Sequence, residues 1–222
     1  MKNFLIITAH VEGLNYIDIC QNQYDCVICA DGGLEIAGSL GLTPDLLIGD
    51  YDSGQLPENR EVIRLPMEKD MTDSEAALDL AVSEGGENII ILGGLGGRFD
   101  HTMGNIGLLA KYCGRLHELA FVDGYNRVSM LESGCYDIPK NNYRYMGLIA
   151  YGGSVKDLTL RGVKYPLTKY LLQDDTSLGV SNEITASAAS LRFSAGRLLM
   201  VFSDDTPQSG TISPVPLWIR SR

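Results

Sequence analysis

In the first half of the chain, short apolar runs are followed directly by acidic clusters or glycine turns. Four such clusters occur, at residues 30–33, 49–53, 69–73 and 93–101. Short, continuous apolar runs are typical of strands that are buried on both faces of a parallel sheet. Because ligands of open α/β sheets bind at the carboxyl ends of the strands, the sequence predicts that these clusters converge on one crevice.

The spacing of apolar residues predicts an alternation of strands and helices up to residue 126. Strands are predicted at residues 3–9, 26–30, 46–48, 62–65, 88–92 and 119–122. Three helices are predicted: one after Gly33 that ends near Leu40, one from the capping-box sequence of residues 72–75, and one over residues 102–113. The last should turn Ile106, Leu109 and Ala110 inward.

After Asn126 the pattern changes to short runs with two-residue alternation. Turn signals separate these runs, among them Ser133-Gly134, Gly152-Gly153 and the segment 194–196. We therefore predict an α/β fold class with two domains. Residues 1–126 form a mostly parallel sheet with flanking helices, and residues 127–222 form a smaller antiparallel β-sandwich domain.

The acidic clusters indicate a metal and a phosphate ligand. Crowded carboxylates raise one another's pKa, and a divalent cation relieves that conflict. Hard oxygen ligands suit Mg²⁺, which is often shared between carboxylates and nucleotide phosphates. Asp50 and Asp52 are two residues apart, so in an extended backbone both reach one ion. Asp73 lies in the first turn of a predicted helix, where it either stabilises the helix dipole or also turns an oxygen to a metal. Each Asp taken alone also fits a turn or a cap.

A turn with four glycines, residues 93–97, precedes Arg98. It is not a Walker loop, because no Gly-Lys-Ser/Thr follows, yet its backbone N–H groups can surround an anion. The Arg98 guanidinium suits phosphate. His101 is open to three interpretations: a local cap, a core histidine or a substrate contact. The loop after the first strand, residues 8–10, could also contact a nucleotide.

Composition excludes several classes of function. The formal charge of -10 argues against a nucleic-acid surface and is compatible with cationic ligands and metal. The five cysteines are scattered, which does not fit a disulfide framework. Cys26 and Cys29 form a CxxC inside an apolar run and are better explained as small buried residues than as zinc ligands. The apolar runs are too short for a signal peptide or a membrane span, so we expect a cytoplasmic protein with no membrane partner.

The order of the clusters resembles that of the thiamine pyrophosphokinase (thiamine diphosphokinase) family. The family pattern is DGG, GDFDS, D-x-TD, GGRxDH and a C-terminal SNE. In this chain the pattern reads Asp31-Gly32-Gly33, Gly49-Asp50-Tyr51-Asp52-Ser53, Asp70-Met71-Thr72-Asp73, Gly96-Gly97-Arg98-Phe99-Asp100-His101 and Ser181-Asn182-Glu183. Each motif is weak by itself, whereas five in this order are specific.

The resemblance implies pyrophosphate transfer from Mg²⁺-ATP to the hydroxyl of thiamine, which gives thiamine diphosphate and AMP. It implies Mg²⁺ on Asp50, Asp52 and Asp73. It assigns further roles as follows: nucleotide binding to Gly32, Asp70, Thr72, Gly96, Gly97 and Arg98; catalysis to the three metal carboxylates with Asp70, Arg98 and Asp100; thiamine binding to Asp31, Asp100, Ser181 and Asn182. It also implies a homodimer whose site is shared between subunits, with the β domain binding thiamine.

The chain departs from the family at Met71, Ala76 and Ile184. At the last position an aromatic residue stacks on thiamine in animal members, and Trp218 is a possible substitute, although a lone Trp is more often a core or rim residue. Two alternatives to the pyrophosphokinase are another Mg²⁺-ATP-dependent enzyme, either a γ-phosphoryl kinase or a nucleotidyltransferase, and a non-catalytic nucleotide- or thiamine-binding regulator. The full set of metal carboxylates with Arg98 argues against the regulator.

Overall fold

The computed structural model describes residues 1–49, 61–64 and 70–221. The chain divides into two compact units. The first unit comprises Met1–Tyr112, Leu116–Gly124 and Ser209–Pro214, and the second comprises Cys113–Arg115, Tyr125–Gln208 and Val215–Arg222. Thus the chain crosses between units near residue 125. Two short segments belong to a different unit from the residues that flank them: Cys113–Arg115 belongs to the second unit and Ser209–Pro214 to the first.

The described helices are α1 (Gly33–Ser39), α2 (Asp73–Ser83) and α3 (Phe99–Tyr112), with short 3₁₀ helices at Leu14–Tyr16 and Gln21–Gln23. The described strands are β1 (Asn3–Ile7), β2 (Ile17–Asp18), β3 (Cys26–Ala30), β4 (Leu46–Gly49), β5 (Glu61–Arg64), β6 (Asn88–Leu92), β7 (Glu118–Val122), β8 (Asn126–Pro139), β9 (Tyr145–Ala150), β10 (Val155–Arg161), β11 (Leu167–Leu172), β12 (Ala188–Ser203), β13 (Gly210–Thr211) and β14 (Ile219–Ser221). No helix among the described residues combines the length and apolar character needed to cross a bilayer.

The first unit is built on a parallel sheet with the strand order β7-β6-β1-β3-β4-β5. Every residue of β6 and β7 is buried, as their continuous apolar sequences predicted. From β1 the chain builds the sheet outward through β3, β4 and β5, and then returns to the other side of β1 with β6 and β7. The strand order therefore reverses between β1 and β6, which is where such sheets bind ligands.

The helices of the first unit start and stop for local reasons. The hydroxyl of Thr72 accepts a hydrogen bond from the Glu75 N–H at 3.2 Å, which confirms the predicted cap of α2. Helix α3 begins three residues earlier than predicted, because the Arg98 carbonyl already accepts from the N–H groups of the first turn. Of the three residues predicted to turn inward on α3, only Leu109 is fully buried. The buried face of α3 consists of Asn105, Leu108, Leu109 and Tyr112.

The described strand pairs of the second unit are antiparallel, which confirms the predicted class of this half. Strand β12 pairs with β8 along its length and, on its other edge, with β10 in its first half and β9 in its second. The prediction that Ser133-Gly134 and residues 194–196 are turns between strands was wrong. They lie inside β8 and β12, where the register shifts between Phe193 and Arg197.

This irregularity explains why turn residues occur inside a long strand. Some β-bulges, like some turns, need a residue with positive φ, and Gly196 has φ +100°. Odd-numbered residues enter the core of the second unit before the bulge, and even-numbered residues enter it after the bulge. These are Ala189, Leu191 and Phe193, then Leu198, Met200 and Phe202. Because both sets enter the same core, the bulge lets one strand cover that core with both of its halves.

The C-terminal tail, to which the sequence assigned no role, contributes to both units. In the first unit β13 pairs with β2 in parallel, and the Tyr24 hydroxyl donates to the Ile212 carbonyl at 3.0 Å. In the second unit β14 pairs with β8. Trp218 packs edge-on against Tyr136 with 5.3 Å between the ring centroids.

Candidate active site

A cavity of about 580 Å³ lies in the first unit, at the carboxyl ends of β1, β3 and β6. It is lined by Thr8, Ala9, His10, Ala30, Asp31, Met71, Thr72, Asp73, Ser74, Gly94, Gly96, Gly97, Arg98, His101 and Asn105. These residues come from four separate parts of the sequence. The reversal of strand order brings their loops together.

The glycine turn after β6 packs tightly against the loop after β1. Gly93 has φ +89°, and a Cβ there would lie 2.2 Å from the His10 carbonyl oxygen. The Gly94 N–H donates to that same oxygen at 3.2 Å, and the buried Asn105 amide donates to the Gly94 carbonyl at 2.7 Å. The turn is therefore held from both sides, which fixes the direction of its backbone N–H groups.

Arg98 and Asp100 form a two-bond ion pair at the end of this turn. The Arg98 Nε donates to Asp100 Oδ1 at 3.2 Å, and Nη2 donates to Oδ2 at 2.6 Å. The hydrogen bond from Arg98 lowers the pKa of Asp100 below its usual range and raises that of Arg98. Both side chains are exposed, so ligands can reach them.

Asp31 and Asp73 supply carboxylates to the cavity from two different elements. Asp31 directly follows β3 and has φ +49°, a left-handed conformation that is uncommon for a residue other than glycine. Such strain persists where the surroundings hold it, here partly through the bond from the Asp31 N–H to the Ile48 carbonyl at 2.9 Å. Asp73 is the first residue of α2, where the helix dipole favours an anion.

The predicted metal ligands Asp50 and Asp52 lie outside the described residues. Within the described ranges, no group of three or more His, Cys, Asp and Glu side chains could hold a metal ion. The cavity does combine the carboxylates of Asp31 and Asp73 with hydroxyls of Thr8, Thr72 and Ser74. Hard oxygen donors of this kind fit Mg²⁺ and do not favour a soft metal.

Only some of the remaining predicted site residues of this unit line the cavity. Thr72, Gly96 and Gly97 line the cavity, whereas Gly32 and Asp70 do not. Asp100 lines an adjacent cavity of about 210 Å³ that shares His101 with the first. Gly33 of the Asp31-Gly32-Gly33 motif packs against backbone, since a Cβ there would lie 2.0 Å from the Ile7 carbonyl oxygen. Its small size accommodates the end of β1.

Several lining residues were missed when site residues were assigned from the sequence. Met71, Ser74, Gly94 and Asn105 all line the cavity. Asn105 had a recognisable signal, because it is a polar residue one turn after His101 on an otherwise apolar helix face. The loop residues Thr8, Ala9 and His10 were noted only as possible nucleotide contacts, and they do line the cavity.

The predicted thiamine contacts Ser181 and Asn182 belong to the second unit. The Asn182 side chain is buried and is paired with the backbone of Tyr165: its Oδ1 accepts from the Tyr165 N–H at 3.0 Å and its Nδ2 donates to the Tyr165 carbonyl at 2.9 Å. Oδ1 also accepts from the Glu183 N–H at 2.9 Å. Ser181 is exposed and has φ +59°. Asn182 therefore shapes the loop that presents Ser181.

Glu183 and Ile184 follow in the same loop, and Ile184 and Trp218 are the two positions considered for a contact with the thiamine ring. Glu183 accepts from Lys164 Nζ at 2.6 Å, and this bond lowers the pKa of Glu183. Ile184 and Trp218 are each partly buried against the core of the second unit. Asn182 also borders a cavity of about 350 Å³ within this unit, lined mainly by leucines and by Tyr165.

Comparisons with known proteins agree on one family. Residues 18–120 match the model described as thiamin pyrophosphokinase, catalytic domain, and residues 135–198 match thiamin pyrophosphokinase, vitamin B1 binding domain. The chain is 35% identical to thiamine pyrophosphokinase of Bacillus subtilis (strain 168) over 83% of this chain and 90% of that protein.

Solved structures agree in fold. A crystal structure of thiamine pyrophosphokinase from Bacillus subtilis has a TM-score of 0.81 and 32% identity, covering 92% of this chain and 100% of that one. A thiamin pyrophosphokinase family protein from Enterococcus faecalis has a TM-score of 0.80 and 27% identity, covering 93% of this chain and 100% of that one.

Proposed function

Since this chain belongs to the thiamine pyrophosphokinase family and is a thiamine diphosphokinase enzyme, we propose that it uses Mg²⁺-complexed ATP as its donor. A pyrophosphoryl group passes to the hydroxyl of thiamine, and the products are thiamine diphosphate and AMP. One observation carries the proposal: the cavity of the first unit joins a glycine turn and Arg98 to the carboxylates of Asp31 and Asp73. Such a set suits a phosphate chain together with its counter-ion.

We assign phosphate binding to the glycine turn and to Arg98. Backbone N–H groups of Gly96 and Gly97 and the guanidinium offer donors for phosphate oxygens. Two of the three Arg98 nitrogens already donate to Asp100, so we assign Nη1 to the nucleotide. Gly32 and Asp70 lie outside the cavity lining, and we assign them no direct nucleotide contact.

We propose that Asp50, Asp52 and Asp73 hold Mg²⁺. The ion, when bound, neutralises phosphate charge, which is the main requirement of phosphoryl transfer. Asp73 is the member of this set that lines the cavity within the described residues. It lies in the first turn of α2, at the end of the helix where the dipole favours negatively charged groups.

The thiamine hydroxyl attacks the β-phosphorus, the bond from that phosphorus to the oxygen shared with the α-phosphate breaks, and AMP leaves. The hydroxyl proton passes to a carboxylate of the cleft, for which Asp31, Asp70 and Asp100 are candidates. The bond from Arg98 keeps the pKa of Asp100 low, so Asp100 is a poor proton acceptor while this pair is intact. Asp31 lines the cavity whereas Asp70 does not, which favours Asp31 as the base and leaves Asp100 to bind or orient thiamine.

We further propose a division of labour along the chain. Residues 1–126 form the nucleotide-binding catalytic domain, and residues 127–222 form the domain that binds thiamine and dimerises. Ser181 contacts thiamine, and Asn182 holds the loop. The active protein is a homodimer with a site shared between subunits. None of the five cysteines, all of which lie in the described part of the chain, forms a disulfide, which fits the reducing cytoplasm.

The test incubates the protein with thiamine, ATP and Mg²⁺ and identifies the nucleotide product by chromatography. We expect AMP in equal amount to thiamine diphosphate. ADP would instead indicate a γ-phosphoryl kinase, pyrophosphate would indicate a nucleotidyltransferase, and binding without turnover would indicate a regulator.

The variant Asp52→Asn tests the assignment of Mg²⁺ to Asp50, Asp52 and Asp73. Asp52→Asn should abolish AMP formation at physiological Mg²⁺ while the protein stays folded, because one of the proposed ligands loses its charge. Asp174→Asn, which removes an equal charge from an exposed loop, is the matched control and should turn over normally. Normal turnover by Asp52→Asn would show that this assignment is wrong.

A further inference from the structure

A polar cluster joins α2 to α3 beside the candidate active site. The Lys111 ammonium donates to Glu75 Oε1 at 3.0 Å and to Asp79 Oδ1 at 3.0 Å. The hydroxyl of the buried Tyr112 donates to the same Asp79 oxygen, and the ammonium also lies 5.1 Å from the centre of the Tyr112 ring. The inter-helix cluster, as we name Glu75, Asp79, Lys111 and Tyr112, therefore places one cation between two carboxylates.

Both helices of this cluster begin at the cavity. Helix α2 starts with Thr72 and Asp73, and α3 starts just after Arg98. The distance between these two starting points sets how far Asp73 is from Arg98, and thus how well both can act on one phosphate chain. A contact that fixes one helix against the other fixes this distance as well, because helices move as rigid elements.

Lys111 also compensates the negative charge of Glu75. Glu75 lies in the first turn of α2 and borders the cavity of about 210 Å³ that Asp100 and His101 also line. The carboxylate of Glu75 is directed to Lys111 in the structure. Without this cation, Glu75 would add an uncompensated negative charge close to Asp73 and Asp100, where a phosphate chain has to bind.

We propose that Lys111 is a positioning residue for the transfer reaction: through Glu75 and Asp79 it holds α2 and α3 at the separation that aligns the nucleotide phosphates. The inference rests on the proposed function only for the identity of the phosphate ligand. Its effect falls more on the nucleotide than on thiamine, since the proposed thiamine contact Ser181 belongs to the second unit and Asp31 lies on neither helix, which leaves Asp100 as the thiamine contact on α3.

The experiment compares Lys111→Met, Lys111→Arg and Lys2→Met. Lys2 is the matched control: its ammonium donates to the Glu84 carbonyl just after α2 and lies 5.5 Å from the Phe4 ring centre, but it does not join two helices. We expect Lys111→Met to lower kcat about tenfold and to weaken equilibrium binding of a non-hydrolysable ATP analogue several-fold, because small misplacements of reacting groups are costly. The KM for thiamine should change less than the nucleotide affinity.

Lys111→Arg retains the charge and should recover most of the activity. Glu75→Gln combined with Lys111→Met should recover part of the loss, since it removes the stranded carboxylate. If Lys111→Met does not fold, Glu75→Gln alone breaks the same ion pair and should show a smaller change of the same kind. Chemical denaturation of every variant separates loss of folding from loss of alignment.

The proposal is overturned if Lys111→Met behaves like Lys2→Met, or if it changes the KM for thiamine and the nucleotide affinity equally. It is also overturned if the Glu75→Gln and Lys111→Met effects are simply additive. Nucleotide affinity is measured without turnover, so this arm stands even if wild-type protein forms no AMP. A wild-type protein that forms no AMP would contradict the proposed function, and nucleotide binding alone would then decide the role of Lys111.

Discussion

Ser181 and Asn182 are adjacent in the second unit, but their side chains lie in different environments. Asn182 is buried, and its amide pairs with the backbone of Tyr165, seventeen residues away in sequence. Ser181 is exposed and strained, with φ +59°. A buried amide that loses its partners costs free energy, whereas an exposed hydroxyl does not. The two positions should therefore respond differently to the same substitution.

Asn182→Ala should lower the free energy of unfolding by about 1–3 kcal/mol, because the Tyr165 backbone groups lose their partners. Ser181→Ala should leave stability nearly unchanged and raise the KM for thiamine more than that for ATP. Denaturant titration and steady-state kinetics measure the two effects. Ser181→Gly is the control for strain, since glycine adopts positive φ freely. Equal changes in both KM values for Ser181→Ala would argue against a thiamine contact.

At the scale of elements, α1 shows how a sequence motif can serve packing rather than a ligand. Gly33 is buried at the start of α1, directly against the last residue of β1. Gly38 lies on the exposed side of the same helix, with open space around it. The close approach at Gly33 lets α1 start directly against the carboxyl end of β1, next to the paired strand β3. This places Asp31 at the cavity.

Gly33→Ala should destabilise the protein by about 2 kcal/mol or more, since a Cβ there meets the Ile7 carbonyl oxygen at 2.0 Å and the strand must shift. Gly38→Ala on the same helix should stabilise it by about 0.5–1 kcal/mol, because alanine has less backbone entropy to lose. Thermal unfolding followed by circular dichroism measures both. A stable, fully active Gly33→Ala protein would contradict this packing.

For the molecule as a whole, two partly buried thiols and one buried tyrosine hydroxyl link stability to pH. Burial raises the pKa of the Cys26 thiol in the first unit to about 11 and that of the Cys113 thiol in the second unit to about 11. Burial also raises the pKa of the Tyr136 hydroxyl to about 12. In each case the unfolded chain ionises at a lower pH than the folded one. The stabilisation is therefore complete below the unfolded pKa and is lost as pH rises.

We expect the free energy of unfolding to fall as pH rises from about 9 to about 11, the interval between the ordinary thiol pKa and its raised value. Denaturant titrations across this range measure the slope. A variant with both Cys26→Ala and Cys113→Ala should show a shallower slope, while Cys20→Ala, at an exposed thiol, should match the wild type. A slope that is flat or that rises with pH would contradict burial as the cause.

The sequence allowed much of the fold to be predicted, because buried strands carry a local signal. Strands β3 and β6 have the predicted bounds, and the cap at Thr72 starts α2 as expected. The errors at the predicted turns share one cause. Turn residues at Ser133-Gly134 and Gly196 signal positive φ or a kink, and only the partner strand decides between a turn and a bulge. The same holds for α3, whose start depends on the glycine turn before it.

By itself, the sequence determined the parallel sheet, the antiparallel second half and the family, since apolar periodicity and motif order are readable along one dimension. Only the tertiary structure decided which polar groups meet. It brought Asn105 and His10 to the cavity, directed the amide of Asn182 to Tyr165, and set Lys111 between two carboxylates. Such pairings join residues far apart in the chain, and their energy depends on distance and burial, which no local pattern records.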